Sequence, residues 1–187
     1  MISINEQDTV GLLKALVAID SVNPSLMPNG PGEAEAARYL EQYMEEAGFE
    51  VHRTEIEPNR ENVVGIIRSS DRQPGRTLML NGHTDTVGVG KMDIDPFDGV
   101  EQDGKIYGRG AADMKSGVAA MVSAAAAVVQ SEIPLRGDVI VACVADEEYA
   151  SIGTEALVNG YTADAAIVTE PTGMEMTIAH KGFAWIE

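Results

Sequence analysis

The chain has 187 residues, enough for one domain with a sizeable core, and carries 30 acidic against 13 basic residues for a formal net charge of -17. That balance argues against nucleic acid or an anionic membrane surface as a partner. The single cysteine, Cys143, lies in an apolar run with no second cysteine to pair with, which points to a reducing compartment and a cytoplasmic protein. The opening MISINEQDTV lacks the basic and apolar regions of a secretory signal. No uncharged apolar span approaches the roughly 20 residues of a membrane helix, and the nearest, 118–129, reads as a buried alanine-rich helix.

Residues 7–19 place Leu12, Leu13, Leu16 and Val17 at helical spacing, and Asp20-Ser21-Val22-Asn23-Pro24 stops that helix with turn formers and a proline. Across 33–47, Ala36, Ala37, Leu40, Met44 and Ala47 fall on one stripe, and Gly48 supplies a left-handed stop. Segment 49–56 alternates apolar with polar and reads as an edge or half-exposed strand, with His52 solvated on its polar side. Segments 62–67 and 77–80 are two further strands around a polar turn at 69–75, and short turns here predict an antiparallel pair at the start of the sheet.

The stretch 88–110 is a long connection rich in glycine and aspartate, with turns marked at Pro96-Phe97 and Asp103-Gly104; its length suggests function. Residues 114–130 form a helix apolar almost all round, hence buried against a sheet. An apolar strand at 138–144, a short helix at 152–159 and a strand at 163–168 complete the alternation. The pattern predicts an α/β fold: three layers, a mixed and partly parallel sheet, and helices on both faces.

The chemistry follows the strands. The strand at 77–80 runs into Asn81-Gly82-His83-Thr84-Asp85, where residues two apart face the same way, so His83 and Asp85 share one crevice. A histidine with a carboxylate close behind it suits a metal ligand whose imidazole is oriented by an acceptor. The strand at 138–144 is followed by Asp146-Glu147-Glu148, and the strand at 163–168 by Thr169-Glu170-Pro171. Asp113 sits where the buried helix begins, a place the helix dipole favours for a carboxylate. Singly, each acid reads equally well as a cap, a solvated loop residue or a turn former. Parallel strands end on one side of a sheet, so His83, Asp85, Asp113, Glu147, Glu148 and Glu170 can converge there, and carboxylates so placed repel one another unless cations sit among them. One imidazole with several oxygens suits zinc or a similar divalent ion, and the reaction class is hydrolysis by metal-activated water.

Four blocks in order, GHTDTV, DPFDGVEQDGKIYGRGAADMKSG, ADEEYAS and TEPTG, resemble the zinc metallopeptidase family that includes acetylornithine deacetylase, succinyl-diaminopimelate desuccinylase, aminoacylase and carboxypeptidase G. The resemblance runs from about the first helix to the last residue. It implies the catalytic domain of a zinc exopeptidase with two ions, zinc or else cobalt or manganese. His83 and Glu170 would bind the first ion and Glu148 the second, while Asp113 would bridge both and join Met114 through a cis peptide. Asp85 would orient His83, and Glu147 would be the general base. Gly108, Arg109 and Gly110 match the GRG block, with the glycines as turn formers and Arg109 structural.

The implied substrate is an N-acyl amino acid or small peptide, with no nucleic acid or membrane partner and a homodimer in the complete protein. A catalytically silent binding or scaffold protein and a related two-zinc aminopeptidase are the rival readings. The family's second zinc also takes a histidine far down the chain, whereas His52, His83 and His180 are the only histidines here. With the tail 174–187 reading largely as strand, residues 1–187 are expected to be the amino-terminal part of the catalytic domain, without the lid or dimerisation domain and without the carboxy-terminal part.

Overall fold

A computed structural model describes residues 6–70 and 75–173. In chain order, helices α1 (Glu6–Ala18) and α2 (Ala34–Glu46) precede strands β1 (Glu50–Glu57), β2 (Arg60–Ile67) and β3 (Leu78–His83). The short strands β4 (Val100–Gln102) and β5 (Lys105–Tyr107) come next, then helix α3 (Ser116–Gln130), strand β6 (Val139–Val144), helix α4 (Ile152–Gly160) and strand β7 (Ala165–Val168). The expected strand at 174–187, with His180, and residues 71–74 of the expected turn lie outside the described residues.

β6 explains the sheet. Its apolar run is nearly continuous because both faces are covered. Val141 and Cys143 point into a core built with Leu12, Leu16, Leu40, Met44, Val118 and Val122 from α1, α2 and α3. Ile140, Ala142 and Val144 point the other way, with Val64, Ile66 and Met79, onto Leu157 of α4. The three-layer α/β arrangement with helices on both faces is therefore the one observed. α2 buries the stripe Ala36, Ala37, Leu40 and Met44, and Gly48 follows it with a φ of +92°.

The five strands lie in the order β1-β2-β6-β3-β7. β1 and β2 are antiparallel, with β1 the expected edge, whereas the antiparallel pair expected across the turn at 69–75 does not form. The short turn after β2 does not make β3 its neighbour, because β6 enters between them, antiparallel to β2 and parallel to β3. β7 is parallel to β3 on its other side. β3, β6 and β7 thus end on one edge.

Two local readings are corrected. Within the long connection, β4 and β5 form a hairpin of three-residue strands around Asp103 (φ +53°) and Gly104 (φ +71°), too short for a periodicity to show. α3 begins at Ser116, not at 114, because Asp113 (φ -119°, ψ 104°) and Met114 (φ -126°, ψ 31°) are non-helical within the irregular turn Ala111–Lys115. Asp113 therefore precedes the helix instead of capping it. Turn and helix together span 20 residues, which in length and composition suffices to cross a membrane, although Asp113 and Lys115 interrupt the uncharged run. Here Val118, Ala119, Met121, Val122, Ala125 and Ala126 are buried in the core.

Candidate metal centre

His83 is the last residue of β3, the strand flanked by β6 and β7. Glu147 and Glu148 follow β6 on one flank, and Glu170 follows β7 on the other. Asp113 arrives from the turn before α3. Two glycines permit that approach. Gly82 leaves room for α3, since a Cβ there would lie 3.0 Å from Met114 Cε and 3.1 Å from Val118 Cγ2. Gly110 enters the turn at φ +79°, a conformation side chains other than glycine rarely adopt. The peptide between Asp113 and Met114 is cis, and the buried Met114 accepts the His83 N–H on Sδ at 3.2 Å.

His83 is buried, its side chain 1% exposed, and its two ring nitrogens have different jobs. Nδ1 lies 3.0 Å from the backbone carbonyl of Asp85 and 3.3 Å from its carboxylate Oδ1. A carbonyl can only accept, so Nδ1 keeps a proton in either charge state, and Nε2, whose lone pair is free only once the second proton leaves, faces the acids. Asp113 Oδ1 is 3.3 Å from Nε2, Glu170 Oε1 3.5 Å and Glu147 Oε2 3.6 Å. One ligand atom each from His83, Asp113 and Glu170 lie within 4.8 Å of one another. Ligands about 2.0–2.2 Å from a shared ion sit roughly 3.4 Å apart, so these residues fit a zinc-sized divalent ion.

The electrostatics favour a cation there. Burial disfavours a charged His83, but Asp85, then Glu170 and Glu147, outweigh it and raise its pKa to about 9. Glu148 is pushed up to about 7 by burial, with Asp113, Asp85 and Glu147 adding like charge. Glu170 is raised by burial as well, with Asp113 and Glu147 beside it. Asp85 resists its own burial because His83 and Asn23 bond to it, and its pKa falls.

Of the six residues singled out from the sequence, four surround Nε2 or orient its ring: Asp85, Asp113, Glu147 and Glu170. Glu148 stands one step away, lining with Asp113 a cavity of about 200 Å³ whose walls include Val87, Gly108, Arg109 and Gly110. Arg109, read as structural, faces this cavity with its buried Nε lacking a hydrogen-bond partner among the described residues. His52 is exposed and pairs with Glu50 at 2.9 Å, as a solvated residue should. Sequence reasoning passed over Asn23, taken as part of a helix stop, and Asp146; both are buried and bonded into the loops of this site. No local signal marks them, since their partners lie 62 and 123 residues apart along the chain.

A buried imidazole ringed by carboxylates at the carboxyl edge of a partly parallel sheet defines an α/β protein with a candidate divalent-metal site. The chain belongs to the peptidase family M20/M25/M40, whose sequence model matches residues 79–181. It is 40% identical over 190 residues to a succinyl-diaminopimelate desuccinylase of Cereibacter sphaeroides, covering 94% of this chain and 47% of that protein. It is 35% identical over 176 residues to an N-formyl-4-amino-5-aminomethyl-2-methylpyrimidine deformylase of Halalkalibacterium halodurans, covering 92% of this chain and 40% of that one. Among solved structures, a tripeptidase from Staphylococcus aureus aligns with a TM-score of 0.71 at 27% identity, over 91% of this chain and 44% of that one. An M20 family metallo-carboxypeptidase from Sulfolobus solfataricus shares the fold at a TM-score of 0.73 and 22% identity, over 89% and 37% of the two chains. The chain thus spans less than half the length of each of these proteins.

Proposed function

We propose that this chain carries the metal-binding part of an amide hydrolase that cleaves an N-acyl amino acid or small peptide in the cytoplasm. The observation that carries it is the approach of His83, Asp113 and Glu170 to within 4.8 Å at the end of three parallel strands. The names of its relatives, a desuccinylase and a deformylase, support removal of a small acyl group from an amine. Their greater length supports reading residues 1–187 as the amino-terminal part of such a domain, with the distal histidine ligand and substrate contacts supplied from elsewhere in the complete protein.

His83 Nε2, Asp113 and Glu170 would hold the first ion, and Asp113 with Glu148 would begin the second site. Bound there, zinc supplies Lewis-acid polarisation of the amide carbonyl and acidifies a water molecule. Glu147, exposed and 3.6 Å from His83 Nε2, is free of the ligand set and takes the water proton on Oε2, then hands it to the leaving amine. Asp85 keeps the His83 ring fixed with its proton on Nδ1.

In the full-length protein, Glu147→Gln is expected to retain bound metal and lose turnover by roughly a thousandfold or more. Metal analysis beside kcat tests this, and a variant with substantial turnover removes Glu147 from the role. The tripeptidase likeness keeps a peptidase reading in view, so N-acyl amino acids should be assayed beside free-amine di- and tripeptides. Preference for the free-amine substrates would replace the deacylase reading.

A further inference from the structure

Asp85 does more than orient His83. Its Oδ1 accepts the backbone N–H of Glu147 at 3.0 Å and its Oδ2 that of Glu148 at 3.2 Å. Oδ2 also accepts from Asn23 Nδ2 at 2.7 Å, and the same amide nitrogen reaches Asp146 Oδ1 at 2.9 Å. Both amide protons are therefore spent on carboxylates. Asn23 Oδ1 accepts from the backbone of Ser25 at 2.9 Å, so a flipped amide would turn its carbonyl towards two anions. The Asn23 backbone N–H donates to Thr86 at 2.9 Å, which ties it to the loop that carries Asp85.

Asp146 secures the other side. Its Oδ2 accepts from Ala150 at 3.2 Å and Ile152 at 3.4 Å, holding the loop that bears Glu147 and Glu148. Asp146 adopts φ +63°, a left-handed conformation that needs such support. Arg60 bonds Asp146 at 2.7 Å and grips both oxygens of Glu33, at 2.7 and 2.9 Å. All five residues are buried, with residue exposures between 0% and 2%. A hydrophobic filling of the same space would be as stable or more so. What the polar arrangement adds is a fixed relation between two loops far apart in sequence.

We propose that Asn23 is a positioning residue. Its amide bridges Asp85 and Asp146 and so sets the Glu147–Glu148 backbone at a defined distance from the His83 imidazole. The functional consequence rests on the roles proposed above for Glu147 and Glu148, whereas the clamp itself does not.

The test uses the full-length protein with Asn23→Leu, similar in volume and without donors. In the metal-free state, the Glu147 and Glu148 amides should exchange with deuterium roughly tenfold faster, while those of β6 stay unchanged. Competition titration with zinc should show the ion that needs Glu148 bound roughly 10- to 100-fold more weakly, with the ion on His83, Asp113 and Glu170 changed by less than about threefold. kcat should fall with KM unchanged. Unchanged exchange at 147 and 148 overturns the clamp. Faster exchange spread evenly over β6 and α3, with both zinc affinities falling together, also overturns it, since that reports a merely structural role. Should Asn23→Leu fail to fold, Asn23→Ser, which keeps one donor, gives the same local pattern at smaller amplitude. A wild-type protein that binds no zinc sinks the proposed function, and the exchange experiment still decides on the clamp.

Discussion

β2 carries an arginine at each end, and each bridges two carboxylates. Arg60, its first residue, is 2.7 Å from both Glu33 and Asp146, and Arg68, just past its last, is 2.7 Å from Glu50 and 3.0 Å from Asp138. The geometry is nearly the same, but the surroundings are not. Side-chain exposures are 3%, 0% and 2% in the first cluster against 55%, 42% and 20% in the second. Because β2 and β6 are antiparallel, the buried cluster lies at the site edge of the sheet and the exposed one at the opposite edge. Equal distances thus give unequal energies, since water screens one set of charges and is excluded from the other.

The largest expected consequence is at Arg60. Replacing it with methionine removes the counter-charge from two buried carboxylates, one of which, Glu33, already has its pKa raised by burial despite Arg60. Urea denaturation should show a loss of roughly 3–5 kcal/mol. Arg60→Lys should recover little, because a lysine cannot span Glu33 and Asp146 with a planar fork. A loss below about 1 kcal/mol would place the two clusters in the same class and erase the contrast.

The buried cluster is also where sequence reading stops. Both faces of β6 are covered, so its run of apolar residues announces a central strand. The acids after β6 and β7, and His83 at the end of β3, are visible because each ends its strand or follows it directly. The bonds from Asn23 to Asp85 and from Arg60 to Glu33 join residues 62 and 27 positions apart, and nothing near either end marks them. The place of β6 between β2 and β3 is likewise decided by pairing across 61 to 80 residues, which short turns cannot reveal. The non-helical backbone at Asp113 and Met114 escaped for a different reason: the apolar pattern of α3 runs straight through it.

A smaller effect separates the two edges by pH. In the metal-free protein His83 is raised from 6.5 to about 9. Its contribution to stability is therefore complete below pH 6.5 and is lost as pH climbs through 9, on the order of 3 kcal/mol. Glu148, raised from 4.5 to about 7, acts in the same direction, since it penalises the folded state as pH rises over that interval. At the other edge Arg68, with His52 behind it, holds Glu50 down at about 2, so that group stays charged throughout. Denaturation of the metal-free protein should thus show stability falling from about pH 4.5, where Glu148 begins to ionise in the unfolded chain, up to about 9, and saturating zinc should remove the decline by occupying the Nε2 lone pair in place of the proton. A flat profile without metal would mean that the acids around His83 do not hold its proton.

The smallest expected effect is the sharpest control. Arg68→Ala cuts as many ion pairs as Arg60→Met, yet Glu50, Arg68 and the released Asp138 all reach solvent. The carboxylates regain water in place of the guanidinium, and salt already screens the attraction that is lost. The denaturation midpoint should stay within experimental error of wild type at moderate ionic strength, with a difference emerging only in low salt. If Arg68→Ala instead destabilises the protein as much as Arg60→Met, and does so independently of salt, then bond geometry and not exclusion of water sets the strength of both clusters. The buried one would then have no special claim to hold the Glu147–Glu148 loop in place.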